Sequence, residues 1–172
     1  MQNFPATSNL EAIWEKLCIL HIVQNELKTV PQNQDSEDCN PGKYILLVED
    51  DPDDQELLKE VFASIDNSFI LKFINHGKEI LSYLEKNKNN KPCLIVLDYN
   101  MPGLNGAEIL REINTTDHYD DIPKIIWSTS GSEKFKSVCL ELGASDYILK
   151  PSSAKDLENI VHYMLSLCNV TN

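Results

Sequence analysis

The run Cys93-Leu94-Ile95-Val96-Leu97, followed at once by Asp98-Tyr99-Asn100-Met101-Pro102-Gly103, decides the architecture. Its apolar residues do not alternate with polar ones. A strand of that kind is buried on both faces, as in a parallel sheet covered by helices. The acid and the Pro-Gly turn that follow mark where the strand leaves the sheet. Outward from this run, the stretches 44–48, 69–74, 124–128 and 146–149 read as further short β-rich segments. Ile45-Leu46-Leu47-Val48 is again apolar throughout. Longer amphipathic stretches, roughly 53–65, 78–86, 106–114, 133–142 and 154–167, lie between or after them. Five β units alternating with five α units predict an α/β fold, a doubly wound five-stranded parallel sheet flanked by five helices.

In such a sheet ligands bind at the carboxyl ends of the strands. The residues there are Glu49, Asp50 and Asp51 after the first run, Asp98 after the third, Ser128 and Thr129 after the fourth, and Lys150-Pro151 after the fifth. If the sheet is built as argued, acids, a hydroxyl and an ammonium meet in one crevice. Clustered carboxylates repel unless a cation neutralises them. Oxygen ligands with no His or Cys among them suit Mg2+. A carboxylate beside Mg2+ can attack phosphorus and form an acyl phosphate, with Lys150 and a hydroxyl meeting the phosphoryl oxygens.

Each piece also has a plainer reading. Asp51-Pro52-Asp53-Asp54 is a good helix start, with Asp51 as N-cap, Pro52 at the first position and acids favoured by the helix dipole. Asp51, Asp53 and Asp54 are assigned to that role. Asp98 alone suits a turn, and Ser128 or Lys150 alone carries little meaning. Their joint occurrence at successive strand ends carries the argument.

The bulk properties bound the partners. The 172 residues are 42% hydrophobic and 24% charged, which fits one globular domain plus an extension. A formal net charge of −12 argues against the basic face that nucleic-acid backbones or anionic membrane surfaces require. No apolar run approaches the roughly 20 residues of a membrane span, and the first residues lack the pattern of a secretory signal. The five cysteines, Cys18, Cys39, Cys93, Cys139 and Cys168, are odd in number and form no CxxC pair. The expectation is reduced thiols in a cytoplasmic protein.

Residues 43–167, about three quarters of the chain, resemble the bacterial response-regulator receiver domain of two-component signalling. The resemblance is carried by Ile45-Leu46-Leu47-Val48-Glu49-Asp50-Asp51, Leu97-Asp98-Tyr99-Asn100-Met101-Pro102-Gly103-Leu104-Asn105-Gly106, Ile125-Ile126-Trp127-Ser128-Thr129-Ser130 and Gly143-Ala144-Ser145-Asp146-Tyr147-Ile148-Leu149-Lys150-Pro151. It implies a flavodoxin-like sheet of strand order 2-1-3-4-5. It implies Asp98 as the phosphoacceptor, and Glu49 and Asp50 as the acidic pair for Mg2+, joined by Asp98 and the Asn100 backbone carbonyl. Ser128 would be the hydroxyl that moves to the phosphoryl group, Tyr147 the aromatic that turns inward with it, and Lys150 the phosphoryl's ion-pair partner. A cis bond before Pro151 is also implied. Two positions depart from the pattern: Ser128 stands where Thr is frequent, and Thr129 where a small Ala is usual, which narrows phosphoryl access. The implied partners are a sensor histidine kinase or phosphotransfer protein upstream and a protein target downstream.

Residues 1–42 form an N-terminal extension, and 43–170 the receiver domain. Leu10, Ile13, Trp14, Leu17 and Leu20 recur at helical spacing and predict an extra helix, either packed on the domain or used in a homodimer or partner contact. The polar stretch 31–42 reads as a linker. His21 and His76 read as ordinary residues. With no sequence beyond Asn172, output is expected through a partner protein, a relay step or a dimer. Two rivals remain. A phosphatase resembling the haloacid dehalogenase class would need a second Asp where Asn100 stands. A binding module indifferent to phosphate would not need the intact set of site residues.

Overall fold

The computed structural model describes residues 43–170. The predicted extra helix, the linker, His21, Cys18 and Cys39 lie outside the described residues. Five strands, β1 (Tyr44–Val48), β2 (Ile70–Ile74), β3 (Leu94–Asp98), β4 (Lys124–Ser128) and β5 (Asp146–Leu149), form one sheet. Its order is β2-β1-β3-β4-β5, with every pairing parallel. Five helices follow the strands in turn: α1 (Pro52–Ile65), α2 (Ile80–Lys86), α3 (Gly106–Ile113), α4 (Glu133–Glu141) and α5 (Ala154–Val170). The expected topology is the observed one. β3 starts one residue later than the apolar run suggested and carries Asp98 as its last residue.

The central strands β1, β3 and β4 are buried along their whole length, whereas the edge strands β2 and β5 are only partly buried. The two faces feed separate cores. Leu46, Val48, Ile95, Leu97 and Ile126 pack with α2, α3 and α4. Ile45, Leu47, Val96, Ile125 and Trp127 pack with α1 and α5. Each fully buried Leu or Ile contributes about 1.5–3 kcal/mol by leaving water. This double burial holds the strand ends, and the polar groups on them, in one plane.

Two expectations are corrected. Cys93 and Cys168 are joined as a disulfide across a sequence separation of 75, with their Cα atoms 4.9 Å apart. The helix after β5 runs back along the sheet, so its last turn meets the start of β3, and no local spacing announces that meeting. Among the described residues Cys139 is a free thiol, on the buried side of α4. The bond before Pro151 is trans, the favoured state of an X-Pro bond. Among the described residues no helix is long and apolar enough to cross a membrane.

Candidate functional site

Parallel strands of matched register end together, and their last residues open on one crevice. β1 delivers Glu49, which is 2% exposed, and then Asp50. β3 delivers Asp98, 5% exposed. Glu49, Asp50 and Asp98 each offer a carboxylate oxygen within 4.8 Å of the other two. β4 ends on the buried Ser128, and the Lys150 amide donates to the Ser128 carbonyl at 2.7 Å, extending the β4–β5 ladder to the lysine.

Lys150 ties the crevice together. Its Nζ donates to Glu49 Oε2 at 2.9 Å and Asp54 Oδ2 at 2.6 Å, and pairs with Asp98 Oδ2 at 3.3 Å. Burial alone would lower its pKa. The hydrogen bond it donates to Asp54 and the attraction of Glu49 and Asp98 outweigh that and hold it above the ordinary lysine range. Glu49 is raised as well, but here burial is the cause: it pushes the carboxyl up to about 7, only partly offset by Lys150, and the Asp98 charge adds to the rise.

The surrounding loops are locked by local hydrogen bonds. Asp98 Oδ1 accepts from the Asn100 amide at 3.1 Å, and the Asn100 side chain donates to Thr129 Oγ1 at 3.2 Å. Asn105 and Glu108 close a capping box at the start of α3. Gly106 is required there, because a Cβ would lie 2.9 Å from the Asp98 carbonyl oxygen. The Ser128 hydroxyl accepts from the Ser130 amide at 3.1 Å. Tyr147 is buried, its hydroxyl donating to the Ser130 carbonyl at 2.7 Å, so its ring is inward in this structure. Its ring meets Tyr99, which stacks in turn on Phe135 of α4.

The structure therefore brings together Glu49, Asp50, Asp98 and Lys150. Ser128, Asn100 and Tyr147 stand around them, with the Ser128 hydroxyl engaged by the Ser130 amide. Asp51 caps α1, accepting from the Asp53 amide at 2.8 Å, as read from the sequence. Asp54 does not fit its assigned role as a mere helix-start acid, since its carboxylate is on Lys150. A signal was available: Leu58, Val61 and Phe62, the buried residues of α1, lie at helical spacing from Asp54, so Asp54 heads the inward stripe. An acid on that stripe needs a cationic partner. An all-carboxylate trio suits a hard dication with oxygen ligands, so the residues present fit Mg2+.

Comparisons with known proteins agree with this geometry. Residues 45–162 match the family described as response regulator receiver domain. The response regulator Rcp1 of Synechocystis sp. is 33% identical over 132 residues, covering 73% of this chain and 88% of Rcp1. The crystal structure of the Mn(2+)-bound form of Rcp1 superposes with a TM-score of 0.64 at 32% identity, over 72% of this chain and 92% of that one. The phosphorylated cyanobacterial phytochrome response regulator RcpA gives a TM-score of 0.65 at 32% identity, over 73% of this chain and 95% of its own.

Proposed function

The chain belongs to the response-regulator receiver-domain family and is a phosphoacceptor switch of two-component signalling, and from that premise we propose that Asp98 is the acceptor. The observation that carries the assignment is the Lys150 ammonium bridging Glu49, Asp54 and Asp98 at the carboxyl ends of β1, β3 and β5. Receiver domains hold Mg2+ at an acidic pocket and receive phosphoryl groups from histidine kinases or phosphotransfer proteins. In this chain Glu49, Asp50, Asp98 and the Asn100 backbone carbonyl would hold the ion, which supplies positive charge to the phosphoryl oxygens when bound.

A phosphohistidine donor approaches the crevice. An Asp98 carboxylate oxygen forms the new O–P bond as the donor N–P bond breaks, and the imidazole keeps the bonding pair. No general base is needed, because the nucleophile is already ionised. Lys150 meets the developing charge. The Ser128 hydroxyl leaves the Ser130 amide and donates to a phosphoryl oxygen, with Tyr147 held inward behind it. The linked Tyr99 and Phe135 rings carry the change to α4. The surface of α4, β5 and α5, where Phe135, Val138 and Leu149 are exposed, is then the region read by a downstream protein. This is a population shift driven by a local charge change. Residues 43–170 act as the switch unit, with 1–42 as its extension.

The test is intact-protein mass after incubation with Mg2+ and acetyl phosphate. One phosphoryl mass is expected, and none in Asp98→Asn. An undiminished gain in that variant refutes the site. No gain in either protein favours a binding module indifferent to phosphate.

A further inference from the structure

We propose that Asp54 is a positioning residue of the phosphoryl-transfer site, holding the Lys150 ammonium where it meets the phosphoryl group. The inference rests on the reading of Asp98 as acceptor. An ammonium has three N–H donors, and the partners of Lys150 in this structure are Glu49, Asp54 and Asp98. The contact to Asp54 is the shortest at 2.6 Å, and that to Asp98 the longest at 3.3 Å.

The three partners differ in what else they do. Glu49 and Asp98 belong to the carboxylate trio with Asp50, and a dication bound there would share their charge. Asp98 loses its charge altogether once its oxygen is esterified to phosphorus. Asp54 stands outside that trio and is not the group that is esterified, so neither event removes it as a partner. It is also carried on a rigid element, since α1 is pinned to the sheet by Leu58, Val61 and Phe62, whereas Lys150 sits on the segment after β5. Asp54 is thus the anchor that keeps the ammonium aimed into the crevice while its contact to Asp98 is exchanged for a phosphoryl oxygen. An ordinary surface ion pair would contribute little. Here the lysine side chain is only 14% exposed, so its direction is set by its partners.

The experiment follows acetyl-phosphate saturation curves for Asp98 phosphorylation in Mg2+. In Asp54→Asn the maximal rate should fall about tenfold while half-saturation moves by less than about twofold, the pattern of a lost orientation rather than lost binding. In a Lys150→Met background the same substitution should change the rate by less than about twofold, because residues acting through one contact are not additive. A parallel readout needs no phosphoryl transfer: in the metal-free protein, acetylation of Lys150 by acetic anhydride, mapped by peptide mass, should rise several-fold in Asp54→Asn. An unchanged or faster rate in Asp54→Asn, equal losses in both backgrounds, or unchanged labelling overturns the proposal. A wild-type protein that takes no phosphoryl group refutes the acceptor reading instead, and the labelling still decides the role of Asp54.

Discussion

Two lysines stand at opposite ends of the sheet, Lys124 buried and Lys150 partly buried, and their partners differ in kind. Lys150, after β5, faces the carboxylates of Glu49, Asp54 and Asp98. Lys124, the first residue of β4, is 3% exposed and donates to the backbone carbonyls of Tyr119 at 2.7 Å and Ile122 at 3.0 Å. Burial lowers the pKa of Lys124, with Asp120 and Asp121 opposing weakly, while the carboxylates hold that of Lys150 up. Carbonyl partners satisfy an ammonium but have nothing to exchange, so the amino end of the sheet is a fixed structure. Carboxylate partners can be neutralised by a metal, by a proton or by esterification, so the carboxyl end can change state. Both lysines are largely withdrawn from water, and what separates structure from switch is whether the partner's charge can be altered.

The sharpest way to break this contrast is Lys150→Met. Removing the ammonium leaves Glu49 and Asp98 facing each other unpaired. Loss of one partner of a buried ion pair costs about 3–5 kcal/mol, and the low end is expected because Glu49 escapes part of the penalty by protonating. Mg2+ restores the missing positive charge, so the gap to wild type in urea unfolding should narrow when the ion is added. A loss of stability indifferent to Mg2+ would place Lys150 in the same class as Lys124.

Glu49 supplies a smaller effect of the same origin. Its folded pKa, about 7, lies above its ordinary value of 4.5. Between those values the folded state binds more protons than the unfolded one, so stability falls as pH rises. The metal-free protein should therefore lose about 2–3 kcal/mol between pH 4.5 and pH 7.5 from this group. Urea midpoints across that range, compared with Glu49→Gln, measure it. A variant with the same slope as wild type would remove Glu49 as the source.

The same distinction explains what the sequence disclosed. Glu49, Asp98 and Lys150 were legible because each ends an apolar run, and parallel strands of one register must end together. The parallel sheet covered on both faces followed from runs without alternation, and its strand order from the family resemblance. Asp54 was misread because an acid in the first turn of a helix has a sufficient local explanation, and only its spacing to Leu58, Val61 and Phe62 set it apart. The joining of Cys93 to Cys168 depends on where α5 ends after crossing the sheet, which is a tertiary fact. Lys124 was read simply as the start of a strand, because backbone carbonyls are partners every sequence offers and none advertises.

Lys124 therefore gives the finest test of the contrast. In Lys124→Met the stem is replaced by one of similar length, and the buried carbonyls of Tyr119 and Ile122 lose their donors. Each unsatisfied buried acceptor carries a penalty, but removing the ammonium also removes the cost of burying a charge, so a net loss of about 1–2 kcal/mol is expected. That loss should be the same with and without Mg2+ and should leave phosphoryl uptake from acetyl phosphate at the wild-type level. A Mg2+-dependent loss, or slowed phosphorylation, would mean that the two ends of the sheet are coupled and that the fixed end takes part in the switch.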